Sequence, residues 1–373
     1  MRCRHGTVPL CDGVTTLPLG IKRGVICWLR LAAAAARAGF LADPVFWLTQ
    51  YRLGVITVAG EALIDLVDEG GGRFRAHPGG SPANVAVGLA RLGTPCSLLA
   101  RLSGDAFGRQ LRAHLAGNGV SLRDAVRASE PTTLALASLA GDGGAAYSFY
   151  VRGTADWQWQ PAELPDPLPA DVTGLHTGSL ALALAPGAGV IEELLRRERA
   201  SGRVTISIDP NIRPRLAASR ADEVARVERQ IGLADIVKAS EEDTAWLYPG
   251  VPAEDVARGW QAIGPRFVVI TLGARGAYAV APDGSQVRRP ARPGLVADTV
   301  GAGDAFCAGL LDAMRRRGLL GAGGRDSFGR LDAARAAGLL DWAAAIAGLT
   351  CERAGADPPT RDEALLAAAD RVP

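Results

Sequence analysis

The chain has 373 residues, 48% apolar but only 5% aromatic, enough Ala, Val and Leu to bury a large core and too apolar for a disordered chain. Its 41 basic and 39 acidic side chains leave a net charge of +2, which gives no reason to expect a nucleic-acid partner. No run of about 18 apolar residues offers a membrane span. Six scattered cysteines with no CxxC pair offer neither a zinc site nor a disulfide framework, so a cytoplasmic chain with reduced thiols is expected.

In chain order, residues 1–52 stand apart. They hold seven bases against two acids and show no alternation of strand and helix patterns. They read as an N-terminal extension, disordered or non-essential, ahead of a folded domain over residues 53–373. From Val55 the pattern changes. Short apolar runs at Val55–Val58, Ser97–Ala100, Val204–Ile208, Asp235–Val237 and Phe267–Ile270 predict buried strands. Amphipathic stretches at Ala83–Leu92, Ala106–Ala116, Gly189–Ala200 and Ala302–Arg317 predict helices between them. This alternation predicts an α/β fold with a mostly parallel sheet covered on both faces. Two segments, at about 65–78 and 131–152, alternate apolar and polar residues instead, the second around Gly141-Asp142-Gly143-Gly144. They predict a small antiparallel flap standing off the main sheet.

Two motifs carry chemistry. Asp298-Thr299-Val300-Gly301-Ala302-Gly303-Asp304 opens the last of these helices. Glycines at a helix N-terminus let unpaired backbone amides approach a ligand, and the helix dipole favours an anion of phosphate size there. Asp304 sits beside that hole, where a general base suits phosphoryl transfer to a hydroxyl. The same residues would also serve as a turn with an acid complementing the dipole. No P-loop motif is present, and no GxGxxG follows the first strand, which argues against a dinucleotide fold. The second motif is Gly79-Gly80-Ser81-Pro82-Ala83-Asn84. Ser81 reads as a helix cap with Pro82 at the first helical position. Gly79 and Gly80 permit close approach of a small polar ligand, and Asn84 presents an amide; a well-capped helix is the plainer reading. Lys238 is one of only two lysines against 39 arginines, and reads either as a phosphate contact or as a surface lysine after a strand. His77, His114 and His176 are not grouped at ligand spacing and read as structural or surface residues.

From about Val55 onward the chain resembles the ribokinase, or PfkB, family of carbohydrate kinases. The resemblance rests on the stretch Gly79–Gly93, on Asp298–Phe306, and between them on Asp209-Pro210-Asn211-Ile212-Arg213 and Thr271–Ala277. It implies a ribokinase-like three-layer sandwich with a mostly parallel central sheet and a small β-sheet lid. It implies ATP-dependent phosphorylation of a primary hydroxyl of a small sugar, with Mg2+ and, in some members, K+. By the same resemblance Asp304 is the catalytic base, and Gly301, Ala302 and Gly303 form the anion hole. Asp65, Gly79, Gly80, Asn84 and Arg152 are implied to hold the sugar. Lys238, Glu241, Thr271, Gly273, Gly276 and Arg213 are implied to face ATP, with Glu241 reaching Mg2+ through water and Asp298 and Val300 holding a monovalent cation.

The family's Asn-x-x-Glu reads Lys238-Ala239-Ser240-Glu241 here, as it often does in fructokinase-like members. The lid segment Ser148–Asp156 is similar to theirs as well, but Val151 stands where their arginine is usual and Arg152 follows one residue later. Fructose is therefore the expected substrate, with 2-keto-3-deoxygluconate, ribose or a nucleoside as alternatives. Trp157 and Trp159 either stack on the sugar or pack in the core, packing being the plainer reading. A catalytically silent sugar-binding regulatory protein on this scaffold is the rival of another class, and the intact Asp304, glycines and Asp65 argue against it. A homodimer through the lid strands is expected, with no nucleic acid and no membrane.

Overall fold

The computed structural model describes residues 54–139 and 145–369, so the N-terminal extension and the turn at 141–144 lie outside the described residues. Leu53–Ala364 make one compact unit; of the other, Met1–Arg52 with Leu365–Pro373, only the helical residues 365–369 are described. Strand β1 (Val55–Ala59) leads into the hairpin β2 (Leu63–Gly70) and β3 (Arg73–Gly79), then α1 (Ser81–Arg91) and β4 (Cys96–Leu99). A short pair, β5 (Arg101–Ser103) and β6 (Val126–Ala128), flanks α2 (Ala106–Gly117), and a second hairpin follows as β7 (Leu134–Leu139) and β8 (Ala145–Tyr150). Strands then alternate with helices: β9 (Val172–Gly178), α3 (Gly187–Ser201), β10 (Thr205–Asp209), α4 (Arg220–Ile231), β11 (Ile236–Ser240), α5 (Glu241–Leu247), α6 (Ala253–Ile263) and β12 (Phe267–Thr271). After β13 (Ala277–Val280) and β14 (Gln286–Arg289) the chain is helical, in α7 (Ala302–Arg316), α8 (Arg325–Gly329), α9 (Ala333–Cys351) and α10 (Arg361–Ala369).

The large sheet has the order β14-β13-β12-β11-β10-β9-β1-β4. It is parallel except at its β12-β13-β14 edge. All five positions of β10 are buried, and so are four of five in β11 and β12, which requires cover on both faces because successive side chains point opposite ways. Ile206, Ile208, Val237, Val268 and Ile270 join Trp260 of α6 in the principal core. Each such side chain withdrawn from water stabilises the fold by about 1.5–3 kcal/mol.

The small sheet has the order β3-β2-β7-β8 and corrects the expected all-antiparallel flap: β2 and β7 run parallel, with Asp65 opposite Ala135. Each hairpin is antiparallel within itself. The two join through their first strands, which enter the small sheet in the same direction and so pair parallel. Leu63 and Asp65 lie on one face of this sheet, Ile64 and Leu66 on the other. The motifs gather where the parallel strands β1, β9, β10, β11 and β12 end, the usual position of a site in such a sheet.

Candidate active site

Helix α7 begins at Gly301, whose φ of 74° lies in the left-handed region. A Cβ there would come within 2.5 Å of the Ala356 Cβ, so the turn needs glycine for conformation and for space. Asp304 follows in the first helical turn, buried. Ser81 Oγ donates to its Oδ1 at 2.6 Å, and Asn84 Nδ2 donates to its Oδ2 at 2.9 Å. Both donors come from the first turn of α1, so two helix starts meet at one carboxylate. Each Asp304 oxygen keeps a second lone pair for a substrate proton. Burial pushes the carboxyl above the usual range, opposed by the Ser81 and Asn84 hydrogen bonds and the charge of Lys238; the net shift is upward. A base raised in this way is better matched to neutral pH. The expected cap at Ser81 is corrected: Gly80, with φ 102°, is the N-cap, its side-chain role is empty, and the Ser81 hydroxyl serves Asp304, with Pro82 one position further in. The Ala302 N–H donates to Thr299 O at 3.2 Å, which leaves the neighbouring glycine amides for an anion.

Lys238 is buried in the middle of β11, which overturns the surface-lysine reading. Its Nζ donates to Asp209 Oδ2 at 2.8 Å, and a Cβ on Gly303 would come within 3.0 Å of the same atom. The ammonium therefore lies against the first turn of α7. Burial alone would lower its pKa; the Asp209 carboxylate more than offsets this and holds it charged. Asp209 Oδ1 is buried without a partner among the described residues. Asp243 closes the cluster, accepting from the Ile212 and Ser240 backbone N–H groups at 2.7 and 2.9 Å. Beneath it, His176 Nδ1 meets Ser207 Oγ at 3.1 Å, and burial with the charge of Lys238 pushes the imidazole down to about 3, so it stays neutral. His77 is exposed and His114 half-buried.

Asp65 stands on β2, facing the cleft. A Cβ on Gly79 would lie 2.0 Å from its Oδ2, so Gly79 makes room for this carboxylate. Burial raises Asp65 to about 6; Arg213 pulls it down and Asp304 pushes it up, so all three charges are felt in one cleft. Arg213 follows the turn after β10. Its Nη1 donates to Asn211 Oδ1 at 2.6 Å. Arg152 is exposed beyond β8. Trp157 and Trp159 are buried and pack in apolar clusters.

A second group lies at the ends of β11 and β12. Glu241 opens α5 and pairs with Arg275 of the Gly273–Arg275 turn. Thr271 Oγ1 donates to Ala239 O at 3.3 Å, and the turn closes at Gly276, where φ is 91° and a Cβ would strike Arg289 O at 2.0 Å. Asp298 shapes the loop before α7, accepting from Val300 N–H at 3.0 Å and Gly355 N–H at 2.8 Å. Val300 is exposed. Among the described residues no three His, Cys, Asp or Glu side chains are grouped to hold a metal unaided.

A carboxylate at the start of a glycine-opened helix, with a buried ammonium against its first turn, is phosphoryl-transfer geometry. The pattern of the pfkB family of carbohydrate kinases matches residues 55–363. The chain belongs to that family. The kinase is 38% identical over 270 residues to a fructokinase of Rhizobium leguminosarum bv. trifolii, spanning 71% of this chain and 81% of the relative. It is 31% identical over 262 residues to an aminoimidazole riboside kinase of Salmonella typhimurium, spanning 70% and 81%. A fructokinase of Xylella fastidiosa solved with bound ATP superposes with a TM-score of 0.78 at 30% identity, covering 86% of this chain and 99% of that one. A double mutant of a Vibrio cholerae fructokinase, solved with fructose, ADP and potassium ion, gives 0.72 at 28%, covering 84% and 98%. The enzyme is a sugar kinase, a phosphotransferase of ribokinase-like fold. Among the described residues no helix is long and apolar enough to cross a membrane.

Proposed function

We propose that this kinase transfers the γ-phosphoryl group of ATP to a primary hydroxyl of fructose. The observation that carries the reading is Asp304, held by Ser81 and Asn84 beside buried Lys238. The sugar lies between the small sheet and the ends of the large one, with Asp65 accepting from its hydroxyls and Gly79, Gly80 and Asn84 lining its place. Asp304 takes the proton of the attacking hydroxyl as the phosphoryl group moves. The amides of Gly301 and Gly303, together with Lys238, face the developing charge. Thr271, Gly273 and Gly276 border the nucleotide. The exposed oxygens of Glu241, with phosphate and water, fit Mg2+, which needs only one or two carboxylates; when bound it screens the phosphate charge. The loop oxygens at Asp298 and Val300 fit K+. The small sheet closes as a lid and keeps water from the phosphoryl group. Its outer face exposes Phe74 and Tyr150, which supports a homodimer through the lid. The reaction belongs in the cytoplasm, where ATP is available.

A riboside is the second reading, favoured by Val151 in place of the arginine of fructokinase-like lids and by the exposure of Arg152. ADP release on a panel of fructose, ribose, 2-keto-3-deoxygluconate and aminoimidazole riboside tests both. Fructose is expected to give the highest kcat/KM. A riboside preferred tenfold or more replaces fructose, and no turnover on any member supports a silent binding protein.

A further inference from the structure

The chain enters or leaves the small sheet four times, at Gly60–Ala62, Gly79–Gly80, Glu130–Thr133 and Val151–Asp156, and all four passages meet. Asp156 Oδ1 accepts from the Ala62 N–H at 3.0 Å, tying the fourth passage to the first. Thr133 O accepts from the Ile64 N–H at 3.1 Å, Thr133 Oγ1 donates to Thr154 Oγ1 at 2.7 Å, and Pro131 O accepts from the Ala155 N–H at 3.0 Å, which ties the third to both. A Cβ on Gly80 would come within 2.7 Å of Glu61 O, so the second passage runs against the first. Glu61 Oε2 accepts from the Ala181 N–H at 3.1 Å and seats the node on the segment after β9.

Glu61 and Asp156 are 1% and 3% exposed. Burial pushes both carboxyls up to about 7, and the charge of Asp156 raises Glu61 further. Two neighbouring carboxyls inside a protein are costly, and apolar side chains of similar size would pack there more cheaply. Their placement therefore points to what they hold. Asp65 lies three residues beyond Ala62 on β2. Leu63 between them packs with Ala135, Trp157 and Leu180, so the strand has little freedom to swing once its first amide is held.

We propose that Asp156 is a positioning residue for phosphoryl transfer: it clamps the Ala62 amide so that β2 carries Asp65 to the sugar, with Glu61 anchoring the clamp. This rests on the reading of Asp65 as the carboxylate that holds the sugar. The test is steady-state kinetics of the full chain on the sugar it turns over best. Asp156→Ala is expected to raise the sugar KM about tenfold, the size of one lost hydrogen bond to a charged or buried group, with the ATP KM within twofold of wild type. Asp156→Asn, whose side-chain oxygen still accepts from Ala62, is expected to restore the sugar KM to within about threefold. Should Asp156→Ala fail to fold, Thr154→Val breaks a link between the same passages without emptying the carboxyl site and is expected to move the sugar KM in the same direction. An unchanged sugar KM, an equal rise in both KM values, or an Asn variant as impaired as the Ala variant overturns the proposal. Asp65→Ala separates the two claims: if it leaves the sugar KM unchanged, the reading of Asp65 fails, and if it raises that KM while Asp156→Ala does not, the clamp fails.

Discussion

Lys238 is the cation that the surrounding carboxylates require. Lys238→Met would leave Asp209 buried with neither oxygen partnered, and removing one member of a buried pair costs about 3–5 kcal/mol. Urea denaturation is expected to show a loss of that size, whereas a loss under about 1 kcal/mol would mean that the site is open to water. Asp65 makes the pH prediction. In the proposed role its carboxylate form accepts from sugar hydroxyls, and its carboxyl is raised to about 6, so kcat/KM for the sugar is expected to fall as pH drops through about 6. The ATP KM should stay flat over that range, and Asp65→Asn should lack that limb of the profile. For stability the sign is opposite: the fold favours neutral Asp65, and that contribution is lost as pH rises through about 6. Asp304 and its glycines were legible because they are contiguous. Ser81 was not, since a hydroxyl at a helix start reads as a cap and its true partner lies 223 residues away.

At the scale of elements, apolar runs located β1, β4, β10 and β12 to within one residue at each end, because buried parallel strands leave unbroken Val and Ile runs; β11 runs three residues past its expected end, and β9, β13 and β14, whose apolar residues are interrupted by Gly, Thr, Tyr and Arg, were not read. The pairing of β2 with β7 was not legible. Strand direction there depends on where two hairpins attach, which local alternation does not encode. The start of α7 gives the clearest element-level test. Gly301→Ala forces an alanine to φ 74°, a strain of about 1–2 kcal/mol, and drives a methyl into Ala356. The turn must shift, so kcat is expected to fall at least about tenfold, one hydrogen bond's worth of transition-state stabilisation, with the sugar KM little changed. Gly284→Ala is the control: φ is 82° with nothing within 4 Å of the added Cβ, so it carries the strain alone and should keep kcat. Equal kcat values for the two variants would show that the turn at Gly301 does not set the anion site.

At the scale of the whole molecule, the region matched to the family, residues 55–363, coincides closely with the compact unit Leu53–Ala364. A protein lacking residues 1–52 is therefore expected to fold and to keep kcat/KM within about twofold, read by melting temperature and ADP release; an insoluble or inactive product would assign those residues to the fold. The fold and the reaction type were legible because both family motifs survive intact. The sugar was not, because the resemblance to fructokinase-like members breaks at Val151-Arg152, just beyond β8, where a one-residue offset changes which way a side chain faces. The central claim is that Asp304 is the base of a sugar kinase. It is tested most directly by the turnover of Asp304→Asn on fructose with ATP and Mg2+, measured beside sugar and nucleotide binding. Binding of both is expected to stay near wild type while kcat falls by about 10²-fold or more, the usual worth of a positioned base. A variant that binds both and turns over at the wild-type rate would contradict it.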